Sequence, residues 1–145
     1  MATIDKFENI QAWQKARELS KMVYELTHLL KFQKDFALCG QIRKSTISIM
    51  SNIAEGFARR TDKEFARFLS IAHGSVAELQ SQLYIALDQS YTNKAQSNKA
   101  FDLSNDVSKL IQAFQIILEA KCKSNHFHKI LIINRVQPCT LIHNS

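Results

Sequence analysis

The stretch Thr61–Gln89, TDKEFARFLSIAHGSVAELQSQLYIALDQ, decides the fold. Phe65, Leu69, Ala72, Val76, Leu79, Leu83 and Ala86 recur at alternating steps of four and three, which is one face of an α-helix. Thr61 followed by Glu64 is a capping box, so the helix starts there. Phe68, Ile71 and Ile85 widen the apolar face beyond what one core requires. Gly74 lies inside the pattern, where glycine costs about 1 kcal/mol against alanine, and close packing at Gly74 is expected.

Three further segments carry the same period. From Glu8 to Leu30 the stripe is Ala12, Ala16, Leu19, Val23, Leu26 and Leu30. A polar stretch, Lys31–Asp35, separates it from a helix over Phe36–Phe57 with Asp35 as its N-cap. That helix has two stripes: Ile42, Thr46, Ile49, Ile53 and Gly56, and beside it Phe36, Gly40, Arg43, Ile47, Met50, Ala54 and Phe57. Gly56 is expected to end it in a left-handed conformation, with Glu55 paired to a nearby arginine. The fourth helix is expected over Asn98–Lys121, with Leu103, Val107, Leu110, Phe114 and Ile117 inward. Four amphipathic helices with short connections predict an all-α, antiparallel, up-down-up-down four-helix bundle over residues 1–121. The doubled stripes predict a second subunit on Ile47, Met50, Phe57, Phe68 and Ile71.

One proline and three glycines among 145 residues argue against a turn-dense β fold. No apolar run is long enough to span a membrane, and MATIDKFENI has no apolar signal core, so a cytoplasmic protein without membrane contact is expected. Cys39, Cys122 and Cys139 are widely spaced, which fits a reducing compartment better than a disulfide framework.

The formal net charge is +6. All 13 acids precede residue 121, whereas Lys121, Lys123, Lys129 and Arg135 follow with no acid among them. Residues 122–145 therefore read as a basic C-terminal tail, disordered or loosely packed, in which Lys129–Ile133 resembles a strand without a partner. Within the body, Arg43, Lys44, Arg59, Arg60, Lys63 and Arg67 form the basic cluster expected to contact nucleic acid. The tail's Cys122, His126, His128, Cys139 and His143 match no zinc spacing, and no cofactor is expected. Nucleophile elbows and phosphate loops are missing from the sequence, so no catalytic residue is assigned.

The runs QIRKSTISIMSNIAEG (Gln41–Gly56) and TDKEFARFLSIAHGS (Thr61–Ser75), with Glu78 and Leu79, resemble the large-subunit ribosomal RNA intervening-sequence proteins, a family of small bacterial four-helix bundles. The resemblance covers residues 7–121 and includes the opening FENIQAWQKARELS. It implies a ring-like homopentamer. It also implies that Asn52, Glu55 and Gly56 form a structural turn, with Arg67, Gly74, Ser75 and Glu78 as further signature positions. The family includes the accessory variability determinant of diversity-generating retroelements, which binds a reverse transcriptase and nucleic acid. Two functions follow as expectations: a non-enzymatic oligomeric adaptor on RNA or DNA with little sequence specificity, or a scaffold that binds a partner enzyme such as a reverse transcriptase.

Overall fold

The computed structural model describes residues 3–135, with side chains up to Ser124. Four helices form: α1 (Gln11–Leu26), α2 (Phe36–Ala58), α3 (Asp62–Asp88) and α4 (Lys94–Arg135). Short 3₁₀ turns precede α1 (Phe7–Asn9) and α2 (Phe32–Lys34). There is no strand among the described residues, so the chain is an all-α helical bundle.

Each helix packs on the next, and α1 closes the arrangement against α4. Across the α2–α3 seam, Ser45 meets Gln82, Ser48 meets Ser75, and Gly56 meets Phe65. Across the α3–α4 seam, Tyr84 meets Phe101, Gln80 meets Ser104, His73 meets Ser108, and Ser70 meets Gln115. Numbers rise on one helix as they fall on its neighbour in both seams. The core between them holds the α1 stripe Ala12, Ala16, Leu19, Val23 and Leu26 and the whole α3 stripe from Phe65 to Ala86. Ile42, Ile49 and Ile53 of α2 are fully buried beside them, and full burial of one such side chain contributes about 1.5–3 kcal/mol.

The starts of α2 and α3 follow from their caps. Asp35 Oδ1 accepts the Leu38 N–H at 2.9 Å, and Thr61 Oγ1 accepts the Glu64 N–H at 3.3 Å. At the head of α4, Asn93 and Gln96 exchange bonds of 2.8 and 2.9 Å, which starts that helix earlier than the apolar period suggests.

Five local expectations are corrected. First, α1 stops at Leu26, where Thr27 Oγ1 donates to the Tyr24 carbonyl, and Leu30 is exposed. Second, α2 runs through Gly56 and ends at Ala58, and the residue with positive φ is Arg60, at 61°. Gly56 is needed for a different reason: a Cβ there would lie 2.7 Å from Phe65 Cδ2 and from Phe68 Cβ. Third, a Cβ on Gly74 would meet nothing within 4 Å, so no close packing inside the protomer explains that glycine. Fourth, the fully buried face of α4 is Ala100, Ser104, Val107, Ile111 and Leu118; of the expected stripe Val107 is buried, Leu103, Leu110 and Phe114 pack half-buried against the core, and Ile117 is 43% exposed. Small Ala100 and Ser104 face the core, and the Ser104 hydroxyl donates to the Phe101 carbonyl. Fifth, α4 does not stop at Lys121; it continues to Arg135, so Lys129–Ile133 is helical. A strand there would have had no neighbour to pair with, whereas a helix satisfies its backbone internally. Residues 136–145, the rest of the expected tail, lie outside the described residues, as do Cys139 and His143.

Candidate nucleic-acid interface

The structure divides the six expected cations between two places. Arg43 and Arg59 are separated by about 24 Å along α2, at a rise of 1.5 Å per residue. Arg43 is engaged within the protomer: its Nε donates to Thr27 Oγ1 at 2.9 Å, and its guanidinium lies 4.9 Å from the Tyr24 ring centroid. Lys44 beside it is exposed. The other four, Arg59, Arg60, Lys63 and Arg67, gather at the α2–α3 turn, and all four are exposed.

The extension of α4 adds to that second group. Lys121 and Arg60 line one cleft, and Lys123 lines another with Lys63 and Arg67. The sequence reading places Lys121 at the end of the fourth helix and Lys123 in the tail, and counts neither with the turn. The missed signal is helical continuity past Lys121, which places both lysines alongside the start of α3.

Only Arg59 in this group of six has an ion-pair partner among the described residues, Glu55 at 2.6 Å. That pair was expected from the position of Glu55 near a helix end. Both side chains are about half exposed, so the pair contributes little to stability. The guanidinium groups of Arg59 and Arg67 lie 5.1 and 5.5 Å from the Phe68 ring centroid. Phe68 is consequently 7% exposed and packs inside the protomer, unlike the other residues expected at a subunit contact. Ile47 and Ile71 are 48% and 44% exposed, and Met50 and Phe57 are half-buried against the core.

The first cleft has a volume of about 730 Å³. Phe57, Phe65, Phe114 and Ile117 give it an apolar wall, and Arg60, Asp62 and Lys121 give it a charged one. Phe65 meets Phe114 edge-on at 5.0 Å and Phe57 at 6.1 Å. Asn52 of the expected structural turn bonds instead along α2, from its amide to the Ser48 carbonyl at 2.8 Å.

Arg60 and Ser90 are the two non-glycine residues with positive φ among the described residues, at 61° and 56°. A left-handed backbone costs a non-glycine residue about 1 kcal/mol or more, and the turn keeps arginine there.

An all-α bundle fold by itself defines no reaction. The 23S rRNA-intervening sequence protein family model matches residues 8–113, and the chain belongs to that family. The chain is also similar to a crystal structure from Bacteroides thetaiotaomicron VPI-5482, described as a protein with unknown function from the S23 ribosomal protein family. Identity is 25%, the match covers 72% of this chain and 97% of that one, and the TM-score is 0.66. No curated protein matches the chain. No helix among the described residues is long and apolar enough to cross a membrane.

Proposed function

We propose that this protein is a non-enzymatic, cytoplasmic adaptor that binds nucleic acid through the cationic end of an up-down-up-down bundle. The observation that carries the reading is the convergence of Arg59, Arg60, Lys63, Arg67, Lys121 and Lys123, five of them without an ion-pair partner among the described residues. Arg60 in a left-handed conformation supports it, because strain of this kind concentrates at functional positions. Cations on an exposed helical surface read phosphates and carry little sequence information. Arg43 and Lys44 form a separate, lesser patch.

The subunits assemble, in this reading, as a ring-like homopentamer through the outer faces of α2 and α3. Ile47 and Ile71 are its exposed apolar contacts, with Met50 and Phe57 beside them. Phe68 acts from behind by supporting Arg59 and Arg67. Ile71→Glu is expected to shift the native mass from oligomer to monomer, and an unchanged mass rules this face out.

Fluorescence anisotropy with RNA and DNA at several salt concentrations tests the binding. Replacing Arg60, Lys63 and Arg67 together with alanine should lower the slope of log affinity against log salt by about 2–3, at roughly 0.7–0.9 per phosphate contact. An unchanged slope rejects the site. If wild-type protein binds neither nucleic acid, the scaffold reading leads, supported by the exposed Phe36, Tyr84 and Ile85.

A further inference from the structure

The second cleft at the cationic end is built differently from the first. It is a recess of about 310 Å³ between the opening turns of α3 and the α4 extension. Lys63, Arg67 and Ser70 line one wall at spacings of four and three, so they share one face of α3. Glu119, Cys122 and Lys123 line the other wall, from α4.

Three cations face one carboxylate in this recess, an excess of two positive charges. The carboxylate is drawn aside: Glu119 Oε1 accepts from Gln115 Nε2 at 3.0 Å, and the same amide donates to Ser70 Oγ at 2.8 Å. No ion pair joins Glu119 to Arg67, Lys63 or Lys123 among the described residues.

An internal phosphodiester carries one negative charge, whereas a phosphate monoester carries about 1.5 to 2 at neutral pH and offers three acceptor oxygens. The excess of two positive charges matches the monoester. We infer that the recess lined by Lys63, Arg67, Ser70 and Lys123 is a subsite for a terminal phosphate, the phosphorylated end of a nucleic-acid strand. This rests on the nucleic-acid reading above and gives it a preferred substrate: strand ends over strand interiors. Lys63 and Lys123 approach the phosphate from opposite walls, and Arg67 supplies a forked donor.

The test compares two single-stranded oligonucleotides of one sequence, with a 5′-phosphate or a 5′-hydroxyl, by fluorescence anisotropy on the full chain. The phosphorylated strand is expected to bind about tenfold more tightly, equivalent to one charge-assisted hydrogen bond. In Lys63→Ala and in Lys123→Ala that ratio should move toward one. Lys21→Ala removes an exposed charge on α1 and should leave the ratio unchanged. AMP, titrated alone, separates two sources of the same chemistry. Binding as tight as the phosphorylated strand assigns the recess to a free nucleotide, and weaker binding assigns it to the strand end. Equal affinity for the two strands, with AMP not bound, overturns the subsite and leaves the nucleic-acid reading intact. Failure of both strands to bind overturns that reading as well.

Discussion

The two ends of the bundle use similar residues for opposite purposes. At the end where α1 meets α2, polar groups are satisfied internally. Asp35 caps α2 and accepts the Tyr91 hydroxyl at 3.1 Å, Phe32 stacks on Tyr91 at 5.3 Å, and Arg43 is held by Thr27 and Tyr24. Cys39 donates to the Phe32 carbonyl, and burial pushes its thiol pKa up, so it stays protonated. At the α2–α3 end the cations face solvent beside two clefts, and they make one exposed ion pair among the described residues. An arginine's sequence position therefore says little about its role. The partners it finds within its own protomer decide whether it remains available for a ligand.

The sharpest way to break this comparison is to damage the closed end. Phe32 is fully buried, and Phe32→Ala should cost about 3–5 kcal/mol in unfolding free energy, read by chemical denaturation. Phe57→Ala at the open end, where the ring is half-buried, should cost clearly less. Equal losses would mean that the open end is packed as tightly as the closed one.

Gly56→Ala probes the one place where the open end is tightly packed. The added methyl would press on Phe65 and Phe68 at 2.7 Å, and overpacking of this kind costs about 1–3 kcal/mol, partly offset by better helix propensity. The same melts check it, and a stabilised variant would show that α3 can move away from α2 freely.

Arg60→Gly sharpens the contrast by separating stability from binding. Relief of the left-handed strain should stabilise the fold by about 1 kcal/mol. Loss of the cation should weaken nucleic-acid binding in the anisotropy titration. Lys44→Ala, in the other patch, should change binding less. If Arg60→Gly raises stability and leaves affinity untouched, the strained arginine has no role in binding.

Much of the bundle was legible because helices with one buried face write their period into the sequence. The α1 and α3 stripes and the Asp35 and Thr61 caps needed only spacing and cap chemistry. Phe32 was not legible: it reaches the core from a 3₁₀ turn, which has no apolar period. The α4 face was ambiguous because two adjacent stripes are apolar, and small Ala100 and Ser104 settled it by close approach. Gly56 was correctly singled out for the wrong reason, since close contact and chain reversal both select glycine. Four of the six cations at the open end stood out as a local cluster. Lys121 and Lys123 could be added only when α4 was seen to continue, because a run rich in β-branched residues masked its helical course.

The smallest expected effect tests the closed end through its one hydrogen bond to a titrating phenol. Desolvation and the bond to Asp35 raise the Tyr91 pKa above its ordinary value of 10.0. Raising the folded-state value means that the folded protein retains the phenol proton more strongly than the unfolded chain does. The stabilisation is therefore complete below pH 10.0 and is lost as pH rises from there through the folded-state value. Lysine deprotonation also lowers stability at high pH, so wild type alone is uninformative. The difference in Tm between wild type and Tyr91→Phe removes that background, because every lysine is common to both. Wild type should lead below pH 10.0, and its lead should shrink above it. Absence of any lead below pH 10.0 would mean that ring stacking on Phe32, which Tyr91→Phe retains, and not the Asp35 bond, holds Tyr91 at the closed end.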